Sequence, residues 1–132
     1  MTASSEFEAF HDRHYEVVNQ YLDEFFDTLQ RQHTSDRKQE TVERFREFVL
    51  RGGKRLRPIS VLLGYGAVTG NDPSEQVYRL SLPVEIYHNG TLIQDDLMDQ
   101  DDTRRGGPAY HQMVMGQYSE WLPAPALRSQ AV

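Results

Sequence analysis

Apolar residues return at helical intervals through most of this sequence, and that periodicity restricts the fold more than any other feature. Phe7, Phe10, Tyr15, Val18, Tyr21, Leu22, Phe25, Phe26 and Leu29 share one face of a long amphipathic helix, expected from residue 4 or 5 to about 31. A polar break over 32–36 offers Ser35 or Asp36 as the N-cap of a second helix carrying Val42, Phe45, Phe48, Val49 and Leu50. That helix is expected to stop at Gly52-Gly53, with glycine in the left-handed conformation. Pro58 suits the first turn of a third helix running through Val68, and Gly70-Asn71-Asp72-Pro73 is a turn signal. A fourth helix starts near Ser74 and is rich in apolar residues: Val77, Leu80, Leu82, Val84, Ile86, Tyr87, Leu92 and Ile93. Pro83 within it predicts a kink or a break. It runs into acids at Asp95 and is expected to end around Gly106-Gly107-Pro108. No segment alternates with a period of two, and no internal repeat is visible, so the expected fold class is all-α.

Composition removes several functions from consideration. With 132 residues the chain is at most one domain. Acids outnumber bases 20 to 14, a net charge of −6, which disfavours the phosphate-backbone binding of nucleic acids. There is no cysteine, which excludes disulfides, thiolate nucleophiles and thiolate-bound metals. The longest nearly apolar run, 59–68, is too short to span a bilayer. Glu6 and Glu8 near the start fit neither a signal nor a transit peptide, so the expected compartment is the cytoplasm. The stretch 122–132 is rich in Pro and Ala and has no acid, and reads as a disordered or aberrant tail after a domain portion covering 1–121.

Two charged clusters carry the candidate chemistry. In Asp95-Asp96-Leu97-Met98-Asp99, the carboxylates of Asp95 and Asp99 stand at i and i+4 on one helical face, where they repel unless a cation lies between them. Mg²⁺ suits the role, because it prefers oxygen and shares its sites with phosphate oxygens and water. Asp96 points off that stripe. Acidic runs are commonly plain solvated surface. Here, however, His88 lies seven residues earlier, about 10 Å back along the helix. Arg104 and Arg105 follow closely, with guanidiniums able to fork onto phosphate oxygens. The second cluster, Arg51-Gly52-Gly53-Lys54-Arg55-Leu56-Arg57-Pro58, puts four cations beside two glycines and a helix start. It reads either as an anion-binding loop or as a helix end with basic residues complementing the dipole.

GGKRLRP (52–58), HNGTLIQDDLMD (88–99) and DDTRRGGP (101–108), in this order and spacing, resemble the trans-polyprenyl diphosphate synthase family. The resemblance covers roughly residues 7–111. It implies the N-terminal part of the isoprenoid synthase helical bundle and a prenyltransferase that adds isopentenyl diphosphate to an allylic diphosphate, head to tail, with Mg²⁺ as cofactor. By position, Asp95 and Asp99 would be the metal ligands, with Asp96 behind them. Arg104 would contact the allylic diphosphate and, with the two aspartates, form the catalytic set. Lys54, Arg57, His88 and Arg105 would bind the diphosphate of isopentenyl diphosphate. The resemblance also implies a homodimer.

The family has a second aspartate-rich motif further along, and none follows Asp102 here, where Glu120 is the only acid. The expectation is therefore a portion of such an enzyme, inactive as an isolated chain. The competing reading is a non-catalytic subunit or diphosphate-binding module that partners a full-length synthase. A terpene cyclase shares the aspartate-rich motif, but has no isopentenyl diphosphate for a loop such as 52–58 to hold.

Overall fold

The computed structural model describes residues 2–116, and the proposed tail at 122–132 lies outside them. Among the described residues five helices carry the fold, in agreement with an all-α class: α1 (Ala3–Gln32), α2 (Asp36–Leu50), α3 (Leu56–Thr69), α4 (Glu75–Asp99) and α5 (Tyr110–Val114). Between α4 and α5 lies a small antiparallel hairpin, β1 (Thr103–Arg104) and β2 (Gly107–Pro108).

Local chemistry accounts for most of the boundaries. Ser35 caps α2, its hydroxyl accepting the Lys38 amide at 3.4 Å. Ser74 does the same for the Val77 amide at the start of α4. Gly70, at φ 72°, ends α3 in the left-handed conformation. Three expectations are corrected. The helix before Gly52-Gly53 already ends at Leu50, and the two glycines, at φ 147° and 130°, form an extended link of a kind that only glycine adopts readily, rather than a left-handed stop. Of the kink or break expected at Pro83, the break does not occur: the missing amide removes one hydrogen bond from a 25-residue helix, and the proline is exposed. α4 also stops earlier than Gly106. Gln100 takes φ 56°, and the Asp101 amide reaches back to the Asp96 carbonyl at 2.9 Å, a Schellman-type closure made without glycine. The hairpin beyond it is invisible to a periodicity search because each strand has two residues.

The chain divides into two compact units, with α1 and α4 each passing from one into the other. The first comprises residues 2–22 and Lys54–Tyr87. Its buried apolar side chains are Val18, Leu22, Ile59, Leu62 and Leu82. His14 Nδ1 meets the Tyr78 hydroxyl at 2.6 Å, and Tyr78 stacks on Tyr21 with ring centroids 5.3 Å apart. The second comprises Asp23–Gly53 and residues 88–116. It buries Phe26, Val42, Phe48, Val49, Ala109 and Met113, with Phe26 edge-on to Phe45 and Phe48 edge-on to Tyr110.

α4 departs from what its composition suggests. Its inward stripe is polar: Ser81, Glu85, Asn89 and Asp96 are all at most 2 % exposed, at spacings of four, four and seven that keep them on one side of the helix. Leu80, Val84, Tyr87, Leu97 and Met98 face outward instead.

Candidate functional site

The last turn of α4 separates its three acids. Asp95 and Asp99 are exposed and, among the described residues, make no ion pair, whereas Asp96 is 1 % exposed. Asp96 is held by Arg104, whose Nη2 donates to Oδ1 at 2.6 Å and whose Nε lies 3.2 and 3.1 Å from the two oxygens. The hydrogen bond to Asp96 is the main reason the Arg104 guanidinium is held above its ordinary pKa. Burial acts against it, and the charges of Asp96, Asp101 and Asp95 add to it.

Arg104 and Arg105 owe their placement to the hairpin. The register Thr103↔Pro108 and Arg104↔Gly107 leaves Arg105-Gly106 as a two-residue loop, with φ 52° and 76° as in a type I′ turn. Arg105 Nη1 donates to the Asn89 side-chain oxygen at 3.1 Å, from an asparagine wholly buried on the inner stripe of α4. Its guanidinium also crosses Gly53, where an added Cβ would sit 3.1 Å from Nη2. His88, one residue before Asn89, is half-buried, and its carbonyl accepts the Thr91 hydroxyl at 2.7 Å.

The basic loop sorts its cations in the same way. In the second unit, Arg51 is turned inward. In the first unit, Arg55 is buried, with Nη1 donating to Glu85 at 2.9 Å and Nε to Asn19 at 2.8 Å. Its backbone is left-handed, at φ 54°. That turn leaves its neighbours Lys54 and Arg57 exposed, and His11 Nε2 donates to the Lys54 carbonyl at 2.6 Å. The sequence marked Lys54, Arg57, His88, Asp95, Asp99, Arg104 and Arg105. It did not mark Asn89, which holds Arg105, or Glu85, which holds Arg55, and it did not separate Arg51 and Arg55 from the other loop cations as the ones that turn inward. The available signal was the run of polar residues at four-residue spacing, Ser81, Glu85 and Asn89, inside an otherwise apolar helix.

The acids of this turn fit Mg²⁺ in a particular way. No cluster of three or more His, Asp or Glu that could enclose a metal occurs among the described residues. Two exposed carboxylates one turn apart, with the third acid neutralised by arginine, are a donor set for a cation that completes its shell with phosphate oxygens and water.

Among the described residues, then, a helical chain with one short hairpin presents two exposed acids one turn apart and an arginine turn that holds the acid between them. Residues 38–126 match the family described as Polyprenyl synthetase, and the chain belongs to that family. It is 43 % identical over 95 residues to a geranylgeranyl diphosphate synthase of Methanosarcina mazei, a match covering 72 % of this chain and 28 % of that one. It is 50 % identical over 60 residues to a geranylgeranyl diphosphate synthase of Saccharolobus solfataricus, covering 46 % and 18 %. Against a short chain isoprenyl diphosphate synthase of Methanothermobacter thermautotrophicus the identity is 36 % over 117 residues, covering 88 % and 35 %. The chain thus spans about a third or less of the length of these curated relatives. No solved structure matches it.

Proposed function

We propose that this chain supplies one wall of a prenyltransferase site that joins isopentenyl diphosphate to an allylic diphosphate. The observation that carries the reading is the division of labour in one helical turn, with Asp95 and Asp99 exposed while Asp96 is taken up by Arg104. Asp95 and Asp99 would hold Mg²⁺. When bound, Mg²⁺ stabilises the negative charge that develops on a departing diphosphate. Arg104 adds its N–H donors to the same diphosphate, while Lys54, Arg57, His88 and Arg105 bind the diphosphate of isopentenyl diphosphate. The allylic C–O bond breaks with its electron pair leaving on oxygen. The alkene carbon of isopentenyl diphosphate bonds to the resulting cation, and loss of a proton restores a double bond. Donors fixed in advance where charge appears are what make such a step fast.

The 132-residue chain on its own is proposed to be inactive, because it spans only 28 % of the Methanosarcina enzyme. A homodimeric assembly and a cytoplasmic setting complete the reading; among the described residues no helix is long and apolar enough to cross a membrane.

Calorimetry with inorganic pyrophosphate, with and without Mg²⁺, tests the site. Affinity should depend on the metal and fall at least about tenfold in Asp95→Asn/Asp99→Asn. Metal-independent or unaltered affinity rejects the assignment. Product formed by the chain alone from both substrates and Mg²⁺ would disprove the proposed inactivity.

A further inference from the structure

Arg51 opens the basic loop and has no part in the chemistry assigned above, yet its side chain is fully committed. All five guanidinium N–H groups have partners. Nε and Nη2 grip Glu47 side-on at 2.9 and 2.6 Å. Nη1 donates to two backbone carbonyls of the hairpin, Arg104 at 2.9 Å and Pro108 at 2.7 Å. The second Nη2 proton faces Met113 Sδ at 3.3 Å. The side chain is 6 % exposed and lies over the Phe48 ring, 5.3 Å from its centroid.

Gly107 makes this approach possible. A Cβ there would lie 2.7 Å from both Cζ and Nη1 of Arg51, closer than any real contact. On its other side the hairpin is tied to α4 by Arg104 on Asp96 and Arg105 on Asn89. A two-residue-per-strand hairpin has too few ladder bonds to be ordered by itself. Its orientation therefore draws on these arginine ties, and Arg51 holds it by the backbone. Lysine could not replace it, since a point ammonium cannot reach a carboxylate and two carbonyls in one plane.

We infer that Arg51 is a positioning residue: it clamps the backbone of the 103–108 hairpin so that the Arg104 and Arg105 guanidiniums are set in advance for a diphosphate. The anion role of those two arginines rests on the function proposed above, while the clamp itself does not. Arg51 touches no substrate and acts only through the turn.

The test uses the whole chain with two variants, Arg51→Met, which removes the donors, and Gly107→Ala, which displaces the guanidinium while keeping every charge. Amide exchange followed by NMR at Ala109, whose N–H donates to the Asp102 carbonyl at 2.9 Å, reports hairpin order. Both variants should speed that exchange at least about tenfold while the amides of Val18 and Phe26, in the middle of α1, keep wild-type rates. Mg²⁺-dependent pyrophosphate affinity should drop about tenfold in each, and Arg51→Met should cause no further loss in an Arg104→Gln/Arg105→Gln background. Unchanged exchange at Ala109 in both variants overturns the clamp. An equal loss of affinity in the background lacking both arginines overturns the positioning role, because a general loss of stability does not depend on those side chains. If the wild-type chain binds no pyrophosphate, the proposed function fails, and the exchange rates still decide whether Arg51 orders the hairpin.

Discussion

Individual charged residues in this chain divide into those that face inward and those left outside. Arg55 and Glu85 are the clearest inward pair, with side chains 1 % and 3 % exposed. Removing one partner leaves an uncompensated charge, so Glu85→Leu or Arg55→Met should each destabilise the fold by roughly 3–5 kcal/mol, measured by urea unfolding. A loss below about 1 kcal/mol for both would mean that water reaches the pair. His14 gives a pH dependence. Burial, with the neighbouring Arg13 charge in support, lowers its pKa below 6.5, against a smaller opposing effect of Asp72. The unfolded chain therefore takes up a proton at a higher pH than the folded chain does. Stability from neutral His14 is complete above about pH 6.5 and is lost as pH falls through the window below it. Urea midpoints should decline from about pH 8 to about pH 5, and His14→Gln should flatten that decline. An equally steep profile in the variant would assign the effect to other groups.

Helices and turns show how far the sequence could be read. α1 and α2 were legible because their apolar residues follow the 3.6-residue period and Ser35 is a strong cap. The end of α4 was not, because Gln100 adopts a conformation for which glycine is the usual signal. The turn at Arg105-Gly106 hid for the same reason, since Asn-Gly or Asp-Gly would have announced it. Non-glycine residues at φ near +55° carry strain, and Gln100→Gly should raise stability by about 1 kcal/mol in thermal or urea unfolding. A decrease would show that the Gln100 side chain contributes contacts of its own. The inner stripe of α4 was unreadable in a different way. Summing apolar residues places Leu80, Val84 and Tyr87 in a core, yet Ser81, Glu85 and Asn89 occupy it. Arginines supplied from residues 55, 104 and 105 made the polar side the buried one, and a single helix gives no sign of them. The i, i+4 spacing set Asp95 and Asp99 on one face apart from Asp96, and both are exposed while Asp96 is buried. Which of the four loop cations turn inward depended on the left-handed turn at Arg55, which the composition of the loop does not encode.

For the molecule as a whole, the outward apolar residues set its behaviour in solution. In the first unit Leu63, Val68, Leu80 and Tyr87 are 42 %, 87 %, 72 % and 76 % exposed, and in the second Leu97 and Met98 are 59 % and 80 % exposed. Burying such side chains is worth about 25 cal/mol per Å² of apolar surface, enough to drive association of the isolated chain. Sedimentation velocity should show concentration-dependent self-association that Leu80→Glu with Leu63→Glu reduces. A monomer at every concentration would show that these residues are not adhesive. The buried polar stripe of α4 has a separate outcome over evolutionary time. Positions 55 and 85 form an electrostatic couple that neither partner can leave alone, so across descendants of this sequence neutral residues should arise at both sites together, and a lineage that has exchanged only one is expected to be short-lived.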